Sequence, residues 1–117
     1  MAHDATCLFC RIVRGEIPAA IVYRGDGVTA LRDIAPQAPT HVVIVPDAHI
    51  GGVADVTPRE DALAGKLLRV AAEIARQEGI AASGYRLIVN QGPDAGQSVA
   101  HLHVHLLGGH PLQVPLV

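Results

Sequence analysis

The run His101-Leu102-His103-Val104-His105-Leu106 is the strongest constraint on the fold, because polar and apolar residues alternate through it without a break. Side chains of an extended strand point to opposite faces with a period of two. The alternation predicts a strand over His101 to Leu107, with Leu102, Val104 and Leu106 facing the core and three imidazoles facing the other way. The plain alternative is a polar outer face that happens to use histidine three times, and strict alternation of so uncommon a residue argues against it. At ~3.3 Å rise per residue, His101 and His105 have Cα atoms ~13 Å apart. Metal–nitrogen bonds of ~2.0–2.1 Å then make one shared ion hard for all three rings, although two of them could meet at one. The row suits the lining of a groove, each ring meeting a different part of a substrate. Neutral imidazole is a nucleophile near pH 7 and its cation donates to developing negative charge, which suits such rings to phosphoryl chemistry; the role of each depends on what holds its second nitrogen.

The rest of the chain supplies a fold for that strand. A short helix is expected from Thr6 as N-cap to a stop at Gly15, with Leu8, Phe9, Ile12 and Val13 on one face. Ile17-Pro18 forces extended backbone. Ile21-Val22-Tyr23 and Val28-Thr29-Ala30-Leu31 flank Gly25-Asp26-Gly27, a hairpin pattern. Pro36 to Pro39 reads as a loop, and His41 to Val45 is a β-branched run closed by Pro46. Thr57-Pro58-Arg59-Glu60 combines a cap, a first-turn proline and a capping-box glutamate. Leu63, Leu67, Val70, Ala71 and Ile74 then form one helical stripe, and Gly79 ends it. Tyr85 to Val89 is a further strand. The order helix, three strands, helix, two strands predicts an α+β domain, an antiparallel sheet with helices packed on one face. Residues 1–117 read as a single domain with a short N-terminal segment, 1–6, and a tail, 110–117.

Composition narrows the function classes. Half the 117 residues are hydrophobic but only 3% are aromatic, so small aliphatic side chains must fill the core. The formal net charge is -2 with no block of like charge, which gives no footprint for a nucleic-acid backbone or an anionic membrane. No stretch approaches the ~20 apolar residues that cross a bilayer, and the first residues lack a secretory pattern. The expectation is a soluble, cytoplasmic protein. Cys7 and Cys10, three positions apart, read as a metal clip, a redox pair or two ordinary thiols. The loop Asp94-Ala95-Gly96-Gln97-Ser98 runs into the histidine strand. Gly96 allows close backbone approach there, and successive N–H groups with the Ser98 hydroxyl can cradle an oxyanion. No Lys or Arg neighbours that loop, which favours a phosphate of low charge such as an amidate over a triphosphate.

The motif His-x-His-x-His followed by two apolar residues resembles the signature of the histidine triad superfamily. The likeness extends through Asp33-Ile34-Ala35-Pro36-Gln37-Ala38-Pro39-Thr40-His41, Val45-Pro46 with His49-Ile50, Gly84-Tyr85-Arg86, Asn90-Gln91-Gly92, Gly96-Gln97-Ser98-Val99 and Gly108-Gly109. Together these look like its Hint branch. The resemblance implies a five-stranded, mainly antiparallel sheet with two helices, joined across a homodimer into one continuous sheet. It implies hydrolysis of purine nucleoside phosphoramidates and aminoacyl adenylates, with no cofactor needed for the chemistry. His103 would be the nucleophile that carries a covalent nucleotidyl group. His41, His101 and His105 would position it, donate to phosphate oxygens and relay a proton to the leaving amine. Ser98 would orient the α-phosphate, Asn90 would steady the loop near the phosphate, and Asp33 would accept from the ribose hydroxyls. Gly96, Gln97 and Val99 would belong to the nucleotide site, and Leu8, Phe9, Ile12, Leu31 and Ile34 would wall the purine. Cys7, Cys10, His49 and His101 match a structural zinc set of bacterial members. Where eukaryotic members carry a Trp that shapes the leaving-group side, the matching position is about Val114. Rival readings are a dinucleoside polyphosphate hydrolase of the same superfamily, a nucleotide-binding module with little turnover, and a metalloenzyme using a His-x-His pair.

Overall fold

The computed structural model describes residues 6–113. Expectations for the N-terminal segment up to residue 5, and for the tail from Val114 onward, lie outside the described residues. The elements are α1 (Leu8–Val13), β1 (Ile21–Gly25), β2 (Val28–Arg32), β3 (Thr40–Pro46), α2 (Asp61–Gln77), β4 (Tyr85–Ile88) and β5 (Val104–Gly108). The strands form a sheet in the order β1-β2-β3-β5-β4, and neighbouring strands run antiparallel. β1 and β2 turn through Asp26 and Gly27, both with positive φ, as a two-residue hairpin requires. Thr57 and Glu60 form the expected capping box, on a 3-10 turn (Pro58–Glu60) that feeds into α2.

The two helices lie on opposite faces of the sheet, which corrects the one-face expectation. Every residue of β3 is buried, so both of its faces need cover. Val42 and Ile44 pack with Val28, Ala30, Val104 and Leu106 beneath the α2 stripe Leu67, Val70, Ala71 and Ile74. Val43 and Val45 point the other way, into a smaller cluster with Leu31 and the α1 residues Phe9, Cys10 and Ile12. Burying an aliphatic side chain of this size contributes ~1.5–3 kcal/mol, so the larger cluster carries most of the stability. The smaller one positions α1 over the histidine face. The cap of α1 is Cys7, not Thr6: its Sγ accepts from the Cys10 N–H at 3.3 Å.

The alternation of the histidine segment is kept, although β5 starts only at Val104. Ile44 and Val104 are the last pair of the β3–β5 ladder, two residues short of Pro46. Leu102 continues the extended path by donating its N–H to Ile50 O at 2.6 Å. Leu102, Val104 and Leu106 therefore join the α2-side core, while Phe9 of α1 packs against the rings of both His101 and His103. His101 and His103 are buried rather than displayed on an open face.

Candidate active site

A cavity of about 360 Å³ opens between α1 and the sheet on the α1 side. Leu8, Phe9, Ile12, Leu31 and Ile34 line it, as do Asp33, Ser98, Val99, His103 and His105. Ile34 is fully exposed and stands at the edge of this space. Ile17, Pro18, Ala19, Arg32 and Val43 also line it and carry no local motif that marks them beforehand. Arg32 is the cation there, yet its guanidinium is held by both oxygens of Glu78 at 2.8 and 3.0 Å.

Hydrogen bonds from backbone groups of known polarity assign the protons on the rings. His103 Nδ1 lies 2.7 Å from the His101 carbonyl, which can only accept. The proton is therefore on Nδ1, and Nε2 presents a bare lone pair. His41 is the reverse case. The main-chain N–H of Gln37 donates to its Nδ1 at 3.0 Å, so Nε2 carries the proton and donates it to His105 Nδ1 at 2.9 Å. His105 in turn keeps its proton on Nε2. Asp33 Oδ2 lies 3.5 Å from His41 Nε2, while Asp33 Oδ1 accepts from the Ala35 N–H at 2.8 Å. Partial burial is the main reason that His105 has its pKa lowered, followed by the nearby rings of His103 and His41, with Asp33 opposing. A neutral His105 is thus favoured near pH 7.

His101 faces away from this chain of rings. Its Nε2 donates to Pro46 O at 2.9 Å, so Nδ1 carries no proton. That nitrogen lies 3.2 Å from Cys7 Sγ and 3.6 Å from Cys10 Sγ, and His49 Nδ1 lies 3.3 Å from Cys10 Sγ. One donor atom from each of Cys7, Cys10, His49 and His101 falls within 4.8 Å of the others. Zinc bonds of ~2.3 Å to sulfur and ~2.0 Å to nitrogen at tetrahedral angles separate S and N by about 3.5 Å. Donor types, spacing and the tautomer of His101 therefore all fit a tetrahedral zinc.

Asn90, Gly96 and Gln97 do not line the cavity. Gln97 uses its side chain as a brace, accepting from the Gly92 N–H at 2.9 Å and donating to Gly51 O and Val99 O. Gly96 is needed for its backbone conformation. It takes φ +77 to close the 3-10 turn Pro93–Ala95, and a Cβ there would meet nothing within 4 Å. Sequence reasoning missed the Gln37 N–H altogether, since a main-chain donor leaves no trace in residue type.

Residues 14–112 match the HIT domain. The chain is 54% identical over 105 residues to the purine nucleoside phosphoramidase of Escherichia coli (strain K12), covering 90% of this chain and 88% of that protein. It is 46% identical over 114 residues to the 14 kDa zinc-binding protein of Zea mays, covering 96% and 88% of the two chains. The solved HIT family hydrolase from Legionella pneumophila Philadelphia 1 superposes with a TM-score of 0.92 at 44% identity, over 94% of this chain and 98% of that one. With this fold, and with imidazoles of defined tautomer around an apolar cavity, the chain belongs to the HIT family.

Proposed function

We propose that this chain is a nucleotide hydrolase that cleaves purine nucleoside phosphoramidates, and aminoacyl adenylates, at the α-phosphorus. The observation that carries the reading is the bare Nε2 of His103 at the cavity wall, fixed by the Nδ1–H bond to the His101 carbonyl. An activated nucleophile divides one difficult displacement into two easier ones. In the first, His103 Nε2 bonds to phosphorus while the bond from phosphorus to the amine breaks, and the amine departs with a proton taken up from solvent water. In the second, water bonds to phosphorus, the histidine–phosphorus bond breaks, AMP leaves with the water's oxygen, and one proton of the water returns to solvent, which balances the proton taken up in the first step. His105 Nε2–H and the Ser98 hydroxyl donate to the phosphoryl oxygens as charge builds on them. Leu8, Phe9, Ile12, Leu31 and Ile34 hold the purine, and Asp33 accepts from the ribose hydroxyls. Among the described residues that line the cavity, Arg32 is the one cation and Glu78 holds it, which favours the amidate over a dinucleoside polyphosphate.

Cys7, Cys10, His49 and His101 would hold a structural zinc, supported by the donor geometry and by the name of the maize relative. Zinc there would neutralise two thiolates and tie α1 to the segments that follow β3 and precede β5. It takes no part in the chemistry. A homodimer joined through β4 is supported by the position of that strand at the sheet edge and by the exposed Leu68, Tyr85 and Val89. No helix among the described residues is long and apolar enough to cross a membrane, and we place the protein in the cytoplasm.

The test is turnover of an adenosine phosphoramidate carrying a fluorescent amine. Wild-type protein is expected to release the amine and AMP, and His103→Ala to lose at least ~10³-fold in rate while still binding AMP. Mass analysis of a slowed reaction is expected to find the nucleotidyl group on His103. Unchanged turnover in His103→Ala sinks the proposal, as does AMP binding by a wild-type protein that never turns over.

A further inference from the structure

We infer that the main-chain N–H of Gln37 is a positioning group that fixes the tautomers of His41 and His105 and closes their cluster to metal ions. Among the described residues, two sets of side chains have metal-ligand spacing: Cys7, Cys10, His49 and His101, and Asp33, His41 and His105. Spacing does not separate them, but the hydrogen bonds behind the rings do. A neutral imidazole that binds a metal through one nitrogen carries its proton on the other, and that N–H needs an acceptor behind it. His101 meets this condition, with its Nε2–H on Pro46 O. His41 fails it. Behind its Nδ1 stands a donor, the Gln37 N–H at 3.0 Å. A metal on His41 Nε2 would require either a proton on Nδ1 pointed at that N–H or an imidazolate. Both are costly beside a backbone group whose polarity cannot be reversed.

The same amide sets the direction of the ring chain. With Nδ1 of His41 accepting, the hydrogen between the two rings belongs to His41 Nε2, at 2.9 Å from His105 Nδ1. His105 then carries its remaining proton on Nε2, and its ring lines the cavity. His105 therefore presents its Nε2–H to a phosphoryl group in the cavity. This last consequence rests on the phosphoryl-transfer reading above. The tautomers and the metal exclusion do not.

Long-range proton–nitrogen correlation spectra of the imidazole rings in the full-length protein test the inference without reference to activity. The expected result is an N–H at Nε2 of both His41 and His105, with Nδ1 of each as acceptor, and the opposite pattern for His103. Gln37→Pro removes the N–H, and Gln37→Ala keeps it. Gln37→Ala is expected to retain the wild-type pattern. Gln37→Pro is expected to show mixed tautomers at His41 and His105, with ~tenfold lower kcat, the scale of one hydrogen bond's preference. Zn²⁺ added to protein already saturated at the cysteine cluster is expected to shift the His41 and His105 resonances in Gln37→Pro but not in wild type. A proton on Nδ1 of His41 in the wild-type spectrum overturns the inference, as does Zn²⁺ binding at His41 and His105 while Gln37 N–H is intact. Because the wild-type spectrum alone decides the tautomer, a Gln37→Pro chain that does not fold leaves the inference fully exposed to refutation. An absence of phosphoramidate turnover refutes the functional reading and leaves the tautomers standing.

Discussion

His105 is surrounded by groups that disagree about its charge. Partial burial, then the rings of His103 and His41, favour the neutral form, and the Asp33 carboxylate favours the cation. The balance lies with the neutral ring, below the usual histidine value of 6.5. The sign for folding follows. As pH falls through the unfolded value, the unfolded chain takes up this proton before the folded one does, so the contribution of His105 to stability is present above that pH and is lost below it. A ring titration followed by NMR is expected to give His105 a midpoint under 6.5. Asp33→Asn, which removes the one opposing charge, is expected to move it lower still. A midpoint at or above 6.5 in wild-type protein contradicts this account. At this scale the sequence shows which rings share a face, because a period of two needs only the chain itself. It does not show which nitrogen of each ring carries the proton, since that depends on the carbonyls of His101 and Pro46 and the N–H of Gln37, which residue type does not encode.

Among the elements, α2 and the sheet are joined by more than apolar packing. Arg32 at the end of β2 reaches Glu78, just past the end of α2, with two hydrogen bonds of 2.8 and 3.0 Å. The hydrogen bonds from Arg32 are the main reason that Glu78 has its pKa held below the usual carboxylate value, with partial burial working against them. A lowered carboxylate stabilises the folded state at neutral pH, and that gain disappears as pH falls through the ordinary range toward the lower folded value. The Arg32 side chain is half exposed, so solvent screens the pair and its worth is ~0.2–1 kcal/mol. Glu78→Gln is expected to lower stability by about that amount in urea melts at pH 7, with the difference from wild type shrinking as pH falls below the ordinary carboxylate value. A difference that does not diminish as pH is lowered rules out the ion pair as its cause. The strands and helices themselves are legible in the sequence from Thr57-Pro58-Arg59-Glu60, the α2 stripe and the Asp26-Gly27 turn. The placing of α1 and α2 on opposite faces is not. It follows from which strand becomes central, and β3 is central only because β5 inserts between it and β4.

For the molecule as a whole, the decisive link is His101, whose two halves serve different parts of the structure. Its ring faces Cys7 and Cys10, and its carbonyl holds the Nδ1–H of His103. Cys7 and Cys10 lie over ninety residues away in sequence, with |i−j| of 94 and 91, so an ion shared among them and His49 would close two long loops of chain. Closing loops of this length stabilises a fold chiefly by restricting the unfolded chain. Nothing in the spacing of Cys7, Cys10, His49 and His101 along the sequence demonstrates that they meet; only the sheet, by placing α1 beside the start of β5, brings them together. If the site holds zinc as proposed, its removal has two effects of different size. Chelation, or Cys10→Ser, is expected to lower the thermal midpoint by several degrees, with the two treatments non-additive because they remove the same site. Turnover of the stripped protein, assayed well below its new midpoint, is expected to survive with kcat reduced by less than ~tenfold, since the His101 carbonyl remains bonded to His103 while its ring is less firmly held. Complete loss of turnover on chelation, restored by zinc in folded protein, would make the ion a participant in the proposed chemistry rather than a support for His101, whose carbonyl holds the proposed nucleophile His103.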